Sequence, residues 1–317
     1  MNTVILTGGA GFIGSNLIPK LLNKGYKVIC VDNFDDTYDP GIKEKNISIF
    51  KDNPNFVLER VDIRDIDKLK KVFENNKPKF VVHLAAKADT RDAVDNPFIY
   101  TSINIDGTLN VLECARIFAI ENIALASSSS VYGNTEAVPW SENETADKPL
   151  SPYGATKRAV ELMAYTYHHN FKMNITCLRY FNAYGENNRP NMVPYKWADL
   201  LLHDKEIEIS GDGSRKRDYT YVGDIADATL LAMEKPLGFE ILNIGNKNPI
   251  SLNELLAVFE KIIGVKAKVV SRKSNSASVE ITYADIAKAK NLLNWEPKVS
   301  LEEGIGKLVK WFRDNRL

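Results

Sequence analysis

The stretch TGGAGFIG, residues 7–14, joins a short apolar strand pattern to a segment with helical spacing of apolar residues. A strand, a glycine-rich turn and a helix in this order form the phosphate loop of dinucleotide-binding sites. Gly8 permits the tight turn, Gly11 lets the backbone approach a pyrophosphate, and Gly14 lets the helix pack closely on the strand. The helix N-terminus adds N–H donors and a positive dipole. We therefore predict a dinucleotide cofactor at this loop.

Strand and helix patterns alternate outward from this loop through the first half of the chain. Strict alternation implies right-handed crossovers, and therefore a parallel, doubly wound, Rossmann-type sheet of the α/β class. Runs of β-branched and apolar residues predict the strands, and helical spacing predicts the segments between them. The predicted strands are residues 3–7, 27–32, 56–62, 80–85, 123–127 and 174–180, and the predicted helices are residues 12–24, 66–75, 102–118 and 153–171.

The pattern changes in NAYGENNRPNM, residues 182–192, which is a loop rich in asparagine, glycine and proline. A strand pattern at 239–245 is expected to return to the first sheet, and helices are expected at 252–263, 284–293 and 301–313. We predict two domains. The cofactor-binding domain comprises residues 1–181 and 218–246, and a smaller C-terminal α/β substrate domain comprises residues 182–217 and 247–317.

Charge and cysteine content narrow the class of protein. The 317 residues carry 41 Lys+Arg and 41 Asp+Glu with no block of like charge, which argues against a nucleic-acid or membrane partner. The three cysteines lack metal-ligand spacing and are expected to be buried free thiols; His83 is expected in the core, and no metal site is predicted. The N-terminus shows no signal pattern and no apolar run approaches the roughly 20 residues that span a bilayer, so we expect a cytoplasmic protein.

An aspartate after the second strand favours NAD over NADP. Asp32 lies 18 residues beyond Gly14, where a carboxylate accepts both ribose hydroxyls and repels a 2′-phosphate. Asp62, after the third strand, is expected at the adenine amino group. The alternative for both residues is a solvent-facing aspartate at a strand end or turn.

Tyr153 and Lys157 are four residues apart in YGATK, so they share one face of a helix. A lysine ammonium beside the phenol lowers the tyrosine pKa from its usual value of about 10, which makes a phenolate base accessible near neutral pH. A tyrosine and a lysine at this spacing lie more often on a helix surface than in an active site. In a chain that also carries a phosphate loop earlier in its sequence, however, the pair indicates catalysis.

Seven ordered motifs together resemble the extended short-chain dehydrogenase/reductase family, in its branch of nucleotide-sugar 4-epimerases. The resemblance covers nearly the whole chain and implies an isomerase with a tightly held, recycled NAD and a UDP-sugar substrate bound by the second domain. The motifs are TGGAGFIG (7–14), Asp32, LAAKAD (84–89), NIDGT (104–108), SSSSVYG (127–133), SPYGATK (151–157) and LRYFNAYG (178–185).

The resemblance implies roles for individual residues. Tyr153 would remove the proton of the sugar 4-hydroxyl while C4 gives hydride to NAD, and Ser128 would hydrogen-bond the same oxygen. Asn104 would support the active-site geometry and Lys87 would lie near the nicotinamide, the alternatives being a turn cap and a solvated charge. The expected cofactor contacts are Gly8, Gly11, Phe12, Ile13, Gly14, Asp32, Asn33, Asp62, Ile63, Leu84, Ala85, Ala86, Lys87, Asn104, Tyr153, Lys157 and Tyr180, and the expected substrate contacts are Lys87, Ser128, Ser129, Ser130, Tyr153, Asn182, Arg189 and Arg217.

The serine run separates branches of the resembled family. Dehydratases and decarboxylases of the family carry acids near the catalytic hydroxyl, whereas this chain has Ser129 and Ser130, so epimerisation or plain oxidoreduction is left. Neutral hydroxyls also tolerate a negatively charged sugar. NFDDTYDPGIK (33–43), TYHHNF (166–171) and NRPNM (188–192) look like UDP-glucuronate 4-epimerases, and Arg189 would pair with the hexuronate carboxylate. Its alternative is an exposed loop arginine.

Two departures from the family pattern keep other substrates open. Asn182 stands where glucuronate enzymes usually carry threonine, and asparagine is the rule in UDP-glucose and UDP-N-acetylglucosamine 4-epimerases. Ser276, Ala277 and Ser278 replace the family's Pro-Gly-Asp, which removes an acidic contact near the nucleotide ribose. Arg217 does match the arginine that clamps the UDP diphosphate. Asn182 therefore keeps a neutral-sugar epimerase open as an alternative. A reductase that releases its cofactor in each cycle and a non-catalytic NAD-binding protein are further alternatives.

The resemblance also implies a homodimer. In the family, the helices that correspond to residues 102–118 and 153–171 form a four-helix interface between two subunits. Both segments carry more apolar residues than packing against one sheet face requires, although these residues could equally be core. They are Leu109, Leu112, Phe118, Leu162 and Tyr165.

Overall fold

The computed structural model describes residues 1–272 and 279–315. A seven-stranded parallel sheet of order β11-β6-β5-β4-β1-β2-β3 forms its centre, which confirms the predicted doubly wound α/β fold. Three two-stranded pairings, β7 with β10, β8 with β13 and β9 with β12, lie outside it. The strands are β1 (Thr3–Thr7), β2 (Lys27–Val31), β3 (Phe56–Glu59), β4 (Phe80–His83), β5 (Asn122–Ser128), β6 (Ile175–Tyr180), β7 (Ala183–Tyr184), β8 (Ile207–Ser210), β9 (Lys216–Asp218), β10 (Thr220–Tyr221), β11 (Phe239–Ile244), β12 (Pro249–Ser251) and β13 (Val269–Arg272).

Helices cover both faces of the large sheet, and their bounds depart from the predicted ones by a few residues at most ends. On one face α1 packs against α9, and on the other α6 packs against α3 and α7. The helices are α1 (Phe12–Asn23), α2 (Pro40–Ser48), α3 (Ile66–Asn76), α4 (Asp92–Asp95), α5 (Pro97–Thr101), α6 (Gly107–Ile117), α7 (Pro152–Phe171), α8 (Val193–Leu202), α9 (Val222–Glu234), α10 (Leu252–Ile263), α11 (Ala287–Leu293) and α12 (Leu301–Asn315).

Helix α7, which carries the predicted catalytic tyrosine, begins at a well-defined cap. The Ser151 hydroxyl accepts the N–H of Gly154, and Pro152 occupies the first helical position, where its missing N–H is no loss. The helix ends at Lys172 in the left-handed conformation. Its start, and with it the position of Tyr153, is therefore fixed by local sequence.

The predicted helix at 102–118 differs from the observed structure. A π-helical turn, Ser102–Asp106, separates α5 from α6. Within it, the carbonyl of Asn104 accepts the Thr108 hydroxyl at 2.5 Å, and the Asn104 side chain bonds residues outside the helix. Such turns occur mostly as single insertions in α-helices and often at functional sites.

The C-terminal part of the chain contributes to two cores. Helices α8, α10 and α12 form a separate cluster around Trp197, Phe259 and Phe312. Ala284 and Trp295, in contrast, pack into the core on one face of the large sheet. The proposed domain division at residues 181, 217 and 246 therefore stays a proposal, since residues beyond 246 pack with both cores.

The buried cysteines predicted from the sequence are confirmed, because Cys30, Cys114 and Cys177 are all buried free thiols. Within residues 1–272 and 279–315, no helix combines the length and apolar character that a membrane crossing requires. The cytoplasmic location stays a prediction.

Candidate active site

A cavity of about 1100 Å³ opens at the carboxyl ends of the sheet strands. It lies where β1 and β4 are neighbours and the strand order reverses, the position at which doubly wound sheets bind their ligands. The volume is slightly above the range of roughly 300–1,000 Å³ that is typical of single small-molecule sites. The cavity therefore suits a dinucleotide together with a second ligand.

The glycine loop forms one wall of this cavity and packs closely against neighbouring backbone. Gly8 has φ +69°, and a Cβ there would lie 2.7 Å from the backbone nitrogen of Ala85. A Cβ on Gly14 would lie 2.6 Å from the carbonyl oxygen of Gly8. Gly11 immediately precedes α1, so the first N–H groups of that helix face the cavity beside it. The loop thus presents backbone where a pyrophosphate would bind.

Asp32 is buried at the end of β2 and held in a fixed orientation. Its Oδ2 accepts the N–H of Ala10 at 3.1 Å and its Oδ1 accepts the N–H of Phe34 at 2.9 Å. The Lys43 ammonium lies 3.8 Å away. Burial raises the pKa of Asp32, while Lys43 and the two N–H donors oppose that shift. The arrangement suits a carboxylate that receives ribose hydroxyls.

The two predicted catalytic hydroxyls meet at the cavity wall. Tyr153, at the start of α7, and Ser128, at the end of β5, both line the cavity, and the Ser128 hydroxyl is near enough to the phenol to oppose the rise in its pKa that burial causes. Ser128 Oγ also accepts the N–H of Ser130 at 3.1 Å, as the cap of the short 3-10 turn that follows. The two hydroxyls can therefore both hydrogen-bond one substrate oxygen.

The prediction that Lys157 lowers the pKa of Tyr153 is not realised in this structure. Burial raises the pKa of Tyr153, and the opposing influences are the neighbouring Ser128 hydroxyl and the charge of Arg189. Lys157 lies behind the cavity wall, where its Nζ donates to the carbonyl of Ala126 at 2.7 Å. Burial lowers the pKa of Lys157 to about 8.

Asn104 also lies behind the wall and connects two parts of the site. Its Oδ1 accepts the N–H of Lys87 at 2.8 Å, and its Nδ2 donates to the Lys87 carbonyl and to Thr156 Oγ1, both at 3.0 Å. The residue thus ties the loop after β4 to α7, next to Lys157. This contact pattern is that of a positioning residue.

The predicted core histidine, His83, connects β1 to the start of α6. His83 Nδ1 lies 2.7 Å from Thr7 Oγ1 and Nε2 lies 2.9 Å from Thr108 Oγ1. Burial lowers the pKa of His83 to about 3, so the ring is neutral. No cluster of metal-ligating side chains is found in the described part of the chain.

Predicted substrate residues line the cavity beyond the two hydroxyls. Arg189 Nη1 donates to the carbonyl of Ala88 at 2.7 Å, which fixes the guanidinium near Tyr153. Asn182 Oδ1 accepts from Thr282 Oγ1 at 2.9 Å. Arg217 Nη2 donates to the carbonyl of Val279 at 2.8 Å. The replacement at Ser276, Ala277 and Ser278 lies outside the described residues.

Apart from Asn104 and Lys157, every predicted site residue lines the cavity: Gly8, Gly11, Phe12, Ile13, Gly14, Asp32, Asn33, Asp62, Ile63, Leu84, Ala85, Ala86, Lys87, Ser128, Ser129, Ser130, Tyr153, Tyr180, Asn182, Arg189 and Arg217. The hydroxyl of Tyr180 is bonded to Thr229 at 2.8 Å. Lys43 and Asn188 also line the cavity and were not predicted. Only the tertiary course of the loops before them brings these two residues to the site.

The family model described as GDP-mannose 4,6 dehydratase matches residues 5–308. The chain belongs to the GDP-mannose 4,6 dehydratase family. The chain is 43% identical over 316 residues to a UDP-glucuronate 4-epimerase of Thermodesulfobacterium geofontis, and the match covers 99% of this chain and 97% of the relative.

Two solved structures have the same fold. A UDP-glucuronic acid 4-epimerase of Bacillus cereus, in complex with UDP-glucuronic acid and NAD, has a TM-score of 0.93 at 36% identity, covering 98% of this chain and 99% of the other. A UDP-glucose 4-epimerase of Thermotoga maritima with UDP-glucose has a TM-score of 0.91 at 34% identity, with the same coverage. The predicted membership of the extended short-chain dehydrogenase/reductase family, in its epimerase branch, is confirmed.

Proposed function

We propose that this protein is an NAD-dependent isomerase that interconverts UDP-glucuronate and UDP-galacturonate through a 4-keto intermediate. The observation that carries the proposal is the neighbouring pair of Tyr153 and Ser128, which lines a cavity together with the glycine loop and Arg189. The B. cereus structure, with UDP-glucuronic acid and NAD, supports the choice of substrate and cofactor.

The chain's own residues supply proton transfer and orientation. NAD, when bound, takes hydride from C4 of the sugar and returns it to the opposite face. Tyr153 removes the proton of the 4-hydroxyl and later gives it back, while Ser128 holds the same oxygen in line. Burial raises the pKa of Tyr153, whereas the neighbouring Ser128 hydroxyl and the charge of Arg189 lower it and so favour the phenolate that this step requires. Lys157 places a buried ammonium behind the pair.

The cavity wall beside the reacting oxygen carries hydroxyls rather than acids. Ser129 and Ser130 line the cavity directly after Ser128. Elimination of water or loss of carbon dioxide from the 4-keto sugar needs a positioned acid or base, which these side chains do not provide. The intermediate is therefore expected to turn and be reduced without losing a group.

Arg189 supports an acidic sugar. Its guanidinium is held by the Ala88 carbonyl and lies 3.6 Å from the sulfur of Met192, so its position does not depend on substrate. An arginine fixed in this way can bind a carboxylate in a forked, charge-assisted geometry.

A second candidate is UDP-glucose 4-epimerase. Asn182 lines the cavity, and because its Oδ1 accepts from Thr282, its amide N–H groups are directed away from that bond. Amide donors suit the hydroxyl of a neutral sugar as well as a carboxylate. The likeness to the T. maritima UDP-glucose 4-epimerase supports this alternative.

Parallel incubation with UDP-glucuronate and UDP-glucose tests the proposal. We expect UDP-galacturonate as the product of the first reaction, identified by chromatography of the released sugars, and little conversion of UDP-glucose. Epimerisation of UDP-glucose with UDP-glucuronate untouched would establish the second candidate. Consumption of NAD in proportion to product would instead indicate a net oxidoreductase.

Arg189→Ala is expected to raise KM for UDP-glucuronate about 10- to 100-fold, because a charge-assisted contact contributes roughly 1.5–3 kcal/mol. KM for any neutral UDP-sugar that the protein accepts should change far less. Steady-state kinetics on both substrates measure the effect, and Arg313→Ala, an exposed arginine on α12, is the matched control. An equal rise in KM for acidic and neutral sugars would contradict the assigned role.

We also propose that two copies of the chain associate through α6 and α7. Leu109, Leu162 and Tyr165 expose 39%, 52% and 51% of their surface on these helices, whereas Leu112 is fully buried and belongs to the core. Exposed apolar residues on two adjacent helices are typical of a contact surface.

Leu162→Glu is expected to convert the dimer to monomer, because it places a charge at the centre of an apolar interface. Analytical ultracentrifugation across a concentration series measures the change. Ile49→Glu is the control, since Ile49 is 79% exposed and follows α2, away from these helices. A wild-type protein that is monomeric at all concentrations would refute the dimer.

A further inference from the structure

A fully buried carboxylate lies beneath the catalytic hydroxyls. Glu161, on α7, accepts hydrogen bonds from Ser127 Oγ at 2.5 Å and from Arg179 Nε and Nη2 at 2.8 and 2.9 Å. Arg158 Nη1 donates to the same carboxylate at 3.0 Å. Glu161 and Arg179 are 0% and 1% exposed, so the pair is shielded from water. Two buried residues with this many mutual bonds hold one geometry.

These bonds join the elements that carry the reacting groups. Ser127 directly precedes Ser128 at the end of β5, Glu161 lies one helical turn beyond Lys157, and Arg179 is on β6. The Arg179 guanidinium also lies 4.6 Å from the ring centre of Tyr132, at the other end of the turn that begins at Ser128. The network thus fixes the chain on both sides of Ser128 and fastens it to α7.

The network also determines the electrostatic surroundings of Lys157. Burial lowers the pKa of Lys157 to about 8, and Cys177 on β6 and Glu161 on α7 oppose that shift. His83 on β4 also faces the ammonium, and it is neutral. Without Glu161, the charges of Arg158 and Arg179 would be left uncompensated near the ammonium.

We infer that Glu161 is a positioning residue for the Ser128, Tyr153 and Lys157 group: it holds the end of β5 against α7 and balances the buried cations around Lys157. The inference rests on the proposed epimerase function. It adds a residue that contacts neither substrate nor cofactor, since Ser127 and Lys157 lie between Glu161 and the cavity.

Glu161→Gln in the NAD-loaded protein is expected to lower kcat about 10- to 100-fold, the size of effect that a displacement of about 1 Å produces, with little change in KM. The alkaline limb of the kcat profile should move to lower pH, because the Lys157 pKa falls further below its present value and the ammonium is lost sooner. Glu161→Asp keeps the charge and should leave the alkaline limb in place. Glu234→Gln removes a carboxylate paired with Lys24 and Tyr26 outside the cavity, and should change neither quantity.

A buried arginine without its partner destabilises a protein strongly, so Glu161→Gln could fail to fold. The double variant Glu161→Gln/Arg179→Met removes both buried charges and keeps volume, a replacement that proteins often tolerate. It should show the same loss of kcat, but a smaller shift of the alkaline limb, because the charge of Arg179 is removed together with that of Glu161. A folded single or double variant with wild-type kcat and pH profile would overturn the inference. A wild-type protein inactive on every UDP-sugar would overturn the proposed function, whereas an active wild type with unaffected variants would overturn the inference alone.

Discussion

Tyr153→Phe is expected to lower kcat for epimerisation by about 10²- to 10⁴-fold, the usual contribution of a positioned acid–base group. The substitution removes only the phenol oxygen, so the proton transfer is lost while the ring is retained. KM for UDP-glucuronate should change little, because the sugar contacts that bind the ground state remain. Initial rates at saturating substrate measure the effect.

Tyr26→Phe is the matched control for this experiment. Its hydroxyl donates to Glu234 at 2.9 Å, and neither residue lines the cavity in the described structure. The control should retain wild-type kcat. Undiminished epimerisation by a folded, NAD-containing Tyr153→Phe protein would refute phenolate catalysis.

Gly11→Ala is expected to give a folded protein that retains little NAD. Gly11 has φ −75° and ψ −177°, which any residue adopts, and among the described residues an added Cβ meets only the Gly8 carbonyl, 3.2 Å away. The methyl group therefore intrudes chiefly on the space for the pyrophosphate. Overpacking of about 1–3 kcal/mol would weaken NAD binding between about 5- and 150-fold. The NAD released by acid denaturation, and the rise of Tm on adding NAD, measure the loss.

Substitutions at two further glycines serve as comparisons for Gly11→Ala. An added Cβ on Gly306, in α12, meets open space within the described structure, so Gly306→Ala should keep full NAD content and raise stability by roughly 0.5–1 kcal/mol. Gly14→Ala should lower Tm as well as NAD content, because its Cβ would lie 2.6 Å from the backbone of Gly8 and Gly9. Full NAD stoichiometry and unchanged affinity in Gly11→Ala would contradict the assignment of the loop.

The sequence predicted all seven strands of the central sheet, because buried parallel strands are short apolar runs between glycine-rich or polar turns. The ends were less predictable. The strand predicted to reach residue 85 ends at His83, since the chain turns there to form the cavity wall. The π-helical turn at Ser102–Asp106 has no local signature, because apolar residues continue at helical spacing through it. It accompanies bonds from Asn104 to Lys87 and Thr156, which are 17 and 52 residues away along the chain.

The site was predictable where motifs specify backbone geometry and less so where contacts are tertiary. The glycine loop, Asp32 and the Tyr153 helix each have a spacing with a physical reason, and all face one cavity. Lys43 does not follow from spacing, because only the course of the chain from Asn33 to Asp39 brings α2 back toward Asp32. The buried position of Lys157 and the elevated pKa of Tyr153 likewise depend on packing that no sequence pattern encodes.

The surroundings of Asp32 bear on how coenzyme choice can change in such a protein. Its carboxylate occupies the convergence of two backbone N–H groups, from Ala10 and Phe34, and of the Lys43 ammonium. Removal of the carboxylate would uncover donors and a cation that themselves favour an anion. The Asp32 carboxylate and the 2′-phosphate of NADP are thus two anions that compete for one electropositive position. In this protein the carboxylate occupies that position and excludes the 2′-phosphate.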